Sequence, residues 1–198
     1  MIREEFDAAV LGRAVYGLLT SVVVPRPIAW VSTRSPEGVD NLAPHSFYTI
    51  ACVQPPVVQF TSVGDKDSLR NVLATREFVV CLCTEDLAEQ VNVTGTEYPP
   101  QVSEFDMAGL TREPSVRVAP PRVAESPVAV ECRLLATTCF GDSTVVFGEV
   151  LHVAVDGAVM RDGRPAVDLL SPVSRLGGPE WGGVGSVVQR PRIPYRSA

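Results

Sequence analysis

Short runs of β-branched and aromatic residues, separated by turn residues, dominate the apolar and polar pattern of this 198-residue chain. Runs of this kind, bounded by glycine, proline, asparagine or aspartate, are typical of β-strands. The sequence predicts strands at residues 28–33, 47–53, 57–61, 78–83, 127–140 and 144–155. The last two runs flank Gly141-Asp142-Ser143 and give the clearest hairpin signal in the chain.

Helical patterns are fewer and shorter than strand patterns. They occupy residues 8–19, 68–74, 84–93 and a short stretch near 104–107. In the second of these, Leu69, Val72 and Leu73 fall on one face, at the spacing of an amphipathic helix. Thr84 is the N-cap candidate of the third, because a side-chain oxygen at this position can accept from the amides of the first turn.

Two segments lack regular periodicity. Residues 96–121 are rich in proline and polar residues, and we interpret them as a long excursion of the kind that often covers a site. Residues 182–198 lie in a glycine- and proline-rich end, which predicts an irregular tail. Because strands are many and helices few, the pattern favours a mainly β barrel over a doubly wound sheet. We expect one domain over residues 1–198.

Composition narrows the function classes. A net charge of -6 argues against nonspecific nucleic-acid binding, which needs clustered lysine and arginine. No apolar run is long enough to span a bilayer, and no secretory signal pattern is present. The five cysteines include no C-x-x-C pair and are odd in number, so we expect a reducing, cytoplasmic location without disulfides.

A metal site is not expected. The chain has two histidines, His45 and His152, which excludes a three-histidine zinc site. Cys81 and Cys83 share one face of a predicted strand, but buried core positions suit free cysteine better than a mixed metal site. His45 adjoins Ser46, and adjacent strand residues point to opposite faces, so this pair does not suit a serine hydrolase.

A set of hydroxyls and one cation suggests an anion site. Ser32, Thr33, Ser46 and Ser68 lie at the ends of predicted strands or at a helix start, and Lys66 precedes that helix. Hydroxyls, a cation and the free amides of a helix N-terminus together suit a phosphate group. The alternative is a set of ordinary turn residues and one solvated lysine that share no ligand.

Four segments occur in a fixed order along the chain. They are Arg26 to Thr33, Asn41 to Ser46, Pro55-Pro56 and Lys66 to Ser68. The set resembles the flavin reductase-like family, whose members show R-P-I-A-x-V-S-T, N-x-A-P-x-S-x-F, P-P and K-D-T at similar spacing. Ser68 stands in place of the last threonine and keeps its hydroxyl, and Tyr48 stands where phenylalanine is common.

The resemblance implies an FMN-binding split β-barrel with a few short helices. It implies that FMN, or FAD, places its phosphate near Ser32 or Thr33 together with Lys66 and Ser68, and its ring along the segment from Asn41 to Ser46. The implied cofactor-binding residues are Ser32, Thr33, Asn41, Leu42, Ala43, Ser46, Lys66, Asp67 and Ser68. It also implies a homodimer with flavin sites near the subunit interface.

Weaker matches continue to residue 181. The segment from Phe147 to His152 resembles a G-x-V-x-x strand of the family, and Arg175 begins an R-x-G-G motif, with Trp181 where tyrosine often stands. The resemblance makes His152 and Arg175 the catalytic candidates. His152 either faces the nicotinamide or substrate side of the flavin or is a structural histidine. Arg175 either pairs with a substrate or cofactor phosphate or braces a loop. Trp181 either stacks on a ring or packs a subunit contact.

The resemblance therefore predicts an FMN-dependent oxidoreductase. Its leading form is an NAD(P)H-dependent flavin reductase that supplies reduced flavin to a partner monooxygenase. One alternative is an enzyme that retains FMN tightly and acts on an organic substrate, and another is an FMN electron carrier or redox sensor without enzymatic activity. The sequence holds no Rossmann residue that would separate NADH from NADPH.

Overall fold

The computed structural model describes residues 1–195. The helices are α1 (Ala8–Leu11), α2 (Val15–Val22), α3 (Asp67–Thr75), α4 (Ala88–Val93), α5 (Glu104–Met107) and α6 (Val167–Leu170), with 3₁₀ turns at Gly12–Ala14, Glu85–Leu87 and Gly157–Val159. The strands are β1 (Arg26–Pro27), β2 (Ala29–Arg34), β3 (Asp40–His45), β4 (Tyr48–Cys52), β5 (Val57–Val63), β6 (Glu77–Leu82), β7 (Arg112–Glu113), β8 (Arg122–Val123), β9 (Val128–Phe140), β10 (Ser143–Val155), β11 (Met160–Arg161), β12 (Arg164–Pro165), β13 (Ser174–Arg175) and β14 (Trp181–Gly182). Among the described residues, no helix is long and apolar enough to cross a membrane.

A seven-stranded antiparallel sheet forms the body of the molecule, in the order β3-β2-β6-β9-β10-β5-β4. Its two edge strands, β3 and β4, are joined by Ser46 and Phe47 alone. The amide of Thr61 on β5 donates to the Phe47 carbonyl at 2.9 Å. The sheet therefore curls until its edges meet, which is how a barrel is formed from one sheet.

The curl also explains the core. Val31 on β2 and Phe60 on β5 belong to one buried cluster, although three strands separate them in the sheet. Trp30 points the other way, as alternation along a strand requires, and packs with Phe105 and Val123 under the excursion after α4. β2 is thus buried on both faces, which agrees with the continuous apolar run from Ile28 to Val31.

The hairpin predicted around Gly141-Asp142-Ser143 is confirmed, since β9 and β10 pair along almost their whole length. One position of the hairpin must be glycine. An added Cβ at Gly148 would lie 2.2 Å from the ring of Phe78, which fills the barrel beneath it. The missing side chain therefore makes room for a core aromatic.

Three local predictions need correction. β3 was absent from the predicted strands, because asparagine and proline are uncommon in strands; Pro44 is accommodated because β3 is an edge strand. Thr84 occupies an N-cap position, but its side chain makes no capping bond; the Glu85 amide donates to the Ser171 carbonyl at 2.9 Å instead. The helix expected at 8–19 is divided at Gly12, whose φ of 53° ends α1.

The end of the described chain is irregular, since residues 183–195 belong to no helix or strand.

Candidate functional site

A cavity of about 440 Å³ lies where β3, the first turn of α3 and residues 94–100 meet. The cavity is lined by Asn41 and by the run from Ala43 to His45 of β3, whereas Leu42 turns into the core. α3 begins at Asp67, so its amino-terminal turn contributes to the opposite wall. The cavity exists because β3 is an edge strand and because the sheet closes into a barrel beside it.

Four buried polar side chains form what we call the polar floor: Asn41, His45, Ser68 and Glu104. The Ser68 hydroxyl is the centre of the floor. Asn41 Nδ2 donates to Ser68 Oγ at 3.3 Å, and His45 Nε2 lies 3.2 Å from the same oxygen. Glu104 Oε2 accepts from the Leu42 amide at 2.9 Å and so ties α5 to β3. The floor therefore joins three elements through hydrogen bonds between buried groups.

Burial sets the ionisation of the floor. Desolvation lowers the pKa of His45 to about 4; the Lys66 charge adds to this shift, and a backbone bond with Thr61 opposes it. The imidazole is therefore neutral at pH 7 and acts by hydrogen bonding. Burial also raises the pKa of Glu104, with the Leu42 amide acting in the opposite direction.

A second group, which we call the charged rim, surrounds the opening: Asp65, Lys66, Asp67, Arg70 and Glu97. Its members pair with one another. Lys66 Nζ contacts Glu97 Oε1, and Arg70 bonds to both Asp65 and Asp67. Lys66 also occupies the N-cap of α3 without making a capping bond. An anionic ligand at this turn would therefore compete with Glu97 for Lys66.

The cavity brings together six of the nine predicted cofactor residues: Asn41, Ala43, Ser46, Lys66, Asp67 and Ser68. The other three lie outside its lining and are 0 % exposed. Ser32 Oγ has no partner within residues 1–195, and Thr33 Oγ1 accepts from Asn71 Nδ2 at 3.1 Å. Leu42 belongs to the core, and its amide is engaged by Glu104.

The two catalytic candidates are placed differently. Arg175 lines a second cavity of about 410 Å³, together with Trp181. The two cavities share Pro44, Ser46, Gly95 and Thr96 as a common wall. His152 is half-buried on β10, opposite Glu131 of β9, and belongs to the lining of neither cavity.

The lining residues that sequence reasoning missed include three with a clear polar role, His45, Glu97 and Glu104. His45 was considered only with its neighbour Ser46, whereas the fold pairs it with Ser68. Glu97 and Glu104 belong to the 96–121 excursion, which we expected to cover a site, and that expectation was the available signal. Which of its acids reach the cavity could not be predicted, because the excursion has no periodicity to orient it.

Comparison with known proteins agrees with this architecture. The family model described as flavin reductase like domain matches residues 21–169. The chain is similar to nitrilotriacetate monooxygenase component B from Bacillus cereus, with a TM-score of 0.92 and 29% identity over 96% of this chain and 100% of that one. It is also similar to the 2-nitrobenzoate 2-nitroreductase NbaA of Pseudomonas fluorescens, with a TM-score of 0.88 and 30% identity over 97% and 96% of the two chains.

A third structure bears on the fold. A Shewanella frigidimarina protein with a split barrel domain is similar to this chain at a TM-score of 0.86 and 21% identity, over 96% of this chain and 100% of that one. The expected mainly β, split-barrel fold is thereby confirmed. The family model covers residues 21–169, which is most of the chain, so the chain belongs to the flavin reductase-like family.

Proposed function

We propose that the larger cavity holds FMN, with its phosphate at Lys66, Ser68 and the first turn of α3 and its ring along β3. The observation that carries this proposal is that one cavity combines a strand edge with the uncapped start of a nine-residue helix and a lysine. Helix amides and a cation are the groups that bind phosphate. Lys66 and Ser68 line the cavity, whereas Ser32 and Thr33 do not, so we assign the phosphate to the first pair.

The residues present fit such a ligand. A volume of about 440 Å³ lies in the range of sites that bury small molecules. The polar floor supplies fixed hydrogen-bonding groups, and the rim supplies the charge. FAD, which carries a second nucleotide, would extend beyond this cavity, so FMN is the better match.

The protein's part in the chemistry is binding and orientation. Bound flavin itself supplies hydride and electron transfer, so no protein acid is required. Pro44 has no amide hydrogen and stiffens the strip against which the ring lies. The Gly95-Thr96 segment lies against Pro44 in the wall that the two cavities share and would limit the access of water to a bound ring.

We propose NAD(P)H:flavin oxidoreductase activity that delivers reduced flavin to a partner monooxygenase. Membership of the flavin reductase-like family supports the oxidoreductase activity. Similarity to a protein named as a monooxygenase component B supports the delivery of reduced flavin to a monooxygenase. The homodimer that the family resemblance implies is part of this proposal, and sedimentation of the purified protein tests it.

The second candidate is direct reduction of a small organic substrate by retained FMN. Two observations favour it: the Arg175 cavity adjoins the flavin strip, and a neighbour of 30% identity is named as a 2-nitrobenzoate 2-nitroreductase.

The visible absorption spectrum of the purified protein, followed by NADH and then NADPH, tests these proposals. Bleaching of a bound flavin band supports the oxidoreductase. Oxidation of nicotinamide that rises with added free FMN supports a flavin reductase, whereas turnover independent of free flavin supports direct action on a substrate. A flavin band that neither nucleotide bleaches would indicate an electron carrier. Absence of flavin binding would contradict the whole proposal.

A further inference from the structure

The second cavity contains an arginine fixed over an aromatic ring. Arg175 and Trp181 are directly opposite each other in the β13–β14 pair, and the guanidinium carbon lies 4.9 Å from the ring centroid. This distance is within the range of a cation–π contact. The Trp181 ring packs against the buried cluster that contains Trp30 and Phe105, and this packing fixes the ring beneath the arginine.

The turn between the two strands holds the same arginine. Arg175 Nη2 donates to the Gly178 carbonyl at 2.8 Å. The Leu176 amide donates to the Glu180 carbonyl across the turn at 2.9 Å. β13 is fixed on its other side by β1, where Arg175 pairs with Arg26 in register. The guanidinium is therefore oriented before any ligand arrives, which reduces the entropy lost on binding.

Most donors of this guanidinium are uncommitted. Within residues 1–195, the guanidinium makes one side-chain hydrogen bond, to the Gly178 carbonyl, and no ion pair with a carboxylate. This contrasts with the main cavity, where Lys66 and Arg70 both pair with acids. A planar guanidinium with free N–H groups binds carboxylate or phosphate in bidentate fashion.

The position of the arginine connects it with the larger cavity. Pro44 and Ser46 line both spaces, as do Gly95 and Thr96. A ligand held by Arg175 would thus lie beside the strip to which we assign the flavin ring. Ile28 and Trp181 add apolar surface to a lining that is otherwise largely polar, and this mixture suits an organic molecule with an anionic group better than a bare ion.

We propose that Arg175 and Trp181 form the substrate subsite of the proposed oxidoreductase and select a small planar molecule that carries an oxyanion. This rests on the proposed function, since it places the reacting partner beside the flavin. The oxyanion has two sources, the carboxylate of an aromatic acid or a phosphate of the nicotinamide nucleotide. Arg175 is the residue that recognises either.

Binding to the flavin-free protein tests the subsite without enzymatic turnover. The chain has two tryptophans, and Trp30 is 0 % exposed, so ligand quenching of fluorescence reports on Trp181. The probes are benzoate, its neutral analogue benzamide, AMP and inorganic pyrophosphate. Each is titrated into wild type, Arg175→Gln and Arg175→Lys, with Arg133→Gln as the control for an exposed arginine on the hairpin.

We expect benzoate or AMP to bind at least about tenfold more tightly than benzamide, as one charge-assisted hydrogen bond provides. Arg175→Gln should abolish this preference, Arg175→Lys should retain part of it, and Arg133→Gln should match wild type. Trp181→Phe should remove the fluorescence response while preserving the fold. Preference for benzoate identifies an aromatic acid, and preference for AMP and pyrophosphate identifies the nucleotide phosphate.

Equal binding of benzoate and benzamide, with no Arg175-dependent binding of AMP or pyrophosphate, would overturn the subsite. FMN affinity is measured on the same variants and should stay within about twofold of wild type, because Arg175 lies outside the larger cavity. Wild-type protein that fails to bind FMN contradicts the proposed function, whereas the probe titration still decides the subsite.

Discussion

The polar floor and the charged rim of the larger cavity use similar side chains in opposite ways. Each floor residue is less than 10 % exposed and bonds to a fixed partner on another element. The rim residues Lys66 and Glu97 are 45% and 81% exposed in their side chains and bond to each other. Buried hydrogen bonds are costly to break, whereas exposed ion pairs contribute little.

This difference separates two tasks. The floor is part of the folding of the barrel, since it joins β3 to α3 and α5. The rim can exchange partners at small cost, so a ligand anion can replace Glu97 at Lys66. Changes in the floor should therefore alter stability, and changes in the rim should alter ligand affinity and respond to salt.

The largest expected effect is the acid sensitivity caused by His45. Its folded pKa is about 4 and its ordinary value 6.5, so between these pH values the unfolded chain holds a proton that the folded chain does not. Acidification from pH 7 to 4 should therefore lower the free energy of unfolding by about 3 kcal/mol through this residue. Urea unfolding at several pH values measures it. His45→Gln should remove this part of the slope, and an unchanged slope would contradict a buried neutral histidine.

The second effect concerns the rim. Lys66→Ala should weaken FMN binding by about 1.5–3 kcal/mol, because a charge-assisted phosphate contact is lost, while stability changes little. Fluorescence titration of FMN measures the affinity, and the difference from wild type should shrink at high salt. Arg133→Ala removes an exposed cation on the hairpin and serves as the control. Unchanged FMN affinity in Lys66→Ala would remove this residue from the phosphate site.

The third effect returns to the floor. Glu104→Ala leaves the buried Leu42 amide without its acceptor and should destabilise the protein by about 1–3 kcal/mol. Glu104→Gln keeps an acceptor oxygen of the same reach and should lie much closer to wild type. Urea unfolding at pH 7 compares the two variants. Equal destabilisation by both would show that the charge of Glu104, rather than its hydrogen bond, is required.

The smallest effect tests competition within the rim. Glu97→Gln removes the carboxylate that pairs with Lys66, so FMN should bind somewhat more tightly, by a small factor. The same substitution in the Lys66→Ala background should have no such effect, because the competition needs both partners. Weaker FMN binding in Glu97→Gln alone would show that Glu97 contacts the ligand instead of competing with it.

Sequence and structure agree most where information is local. The hairpin of β9 and β10 was predicted because strand alternation and turn residues lie within a short stretch. The motif from Lys66 to Ser68 falls at the start of α3, as its helix-start pattern indicated. Ser32 and Thr33 were predicted beside the phosphate by resemblance, yet both are buried, because exposure depends on what other elements cover.

By itself, the sequence determined the strand-rich pattern, the long hairpin and the ordered motifs that the family shares. Tertiary structure alone decided which polar groups meet. Glu104 accepts from an amide 62 residues away, and Ser68 meets both Asn41 and His45. Arg175 reaches the wall shared by the two cavities only because β13 pairs with β1 and β14. These meetings depend on sheet register and barrel closure, which long-range packing sets and no local pattern encodes.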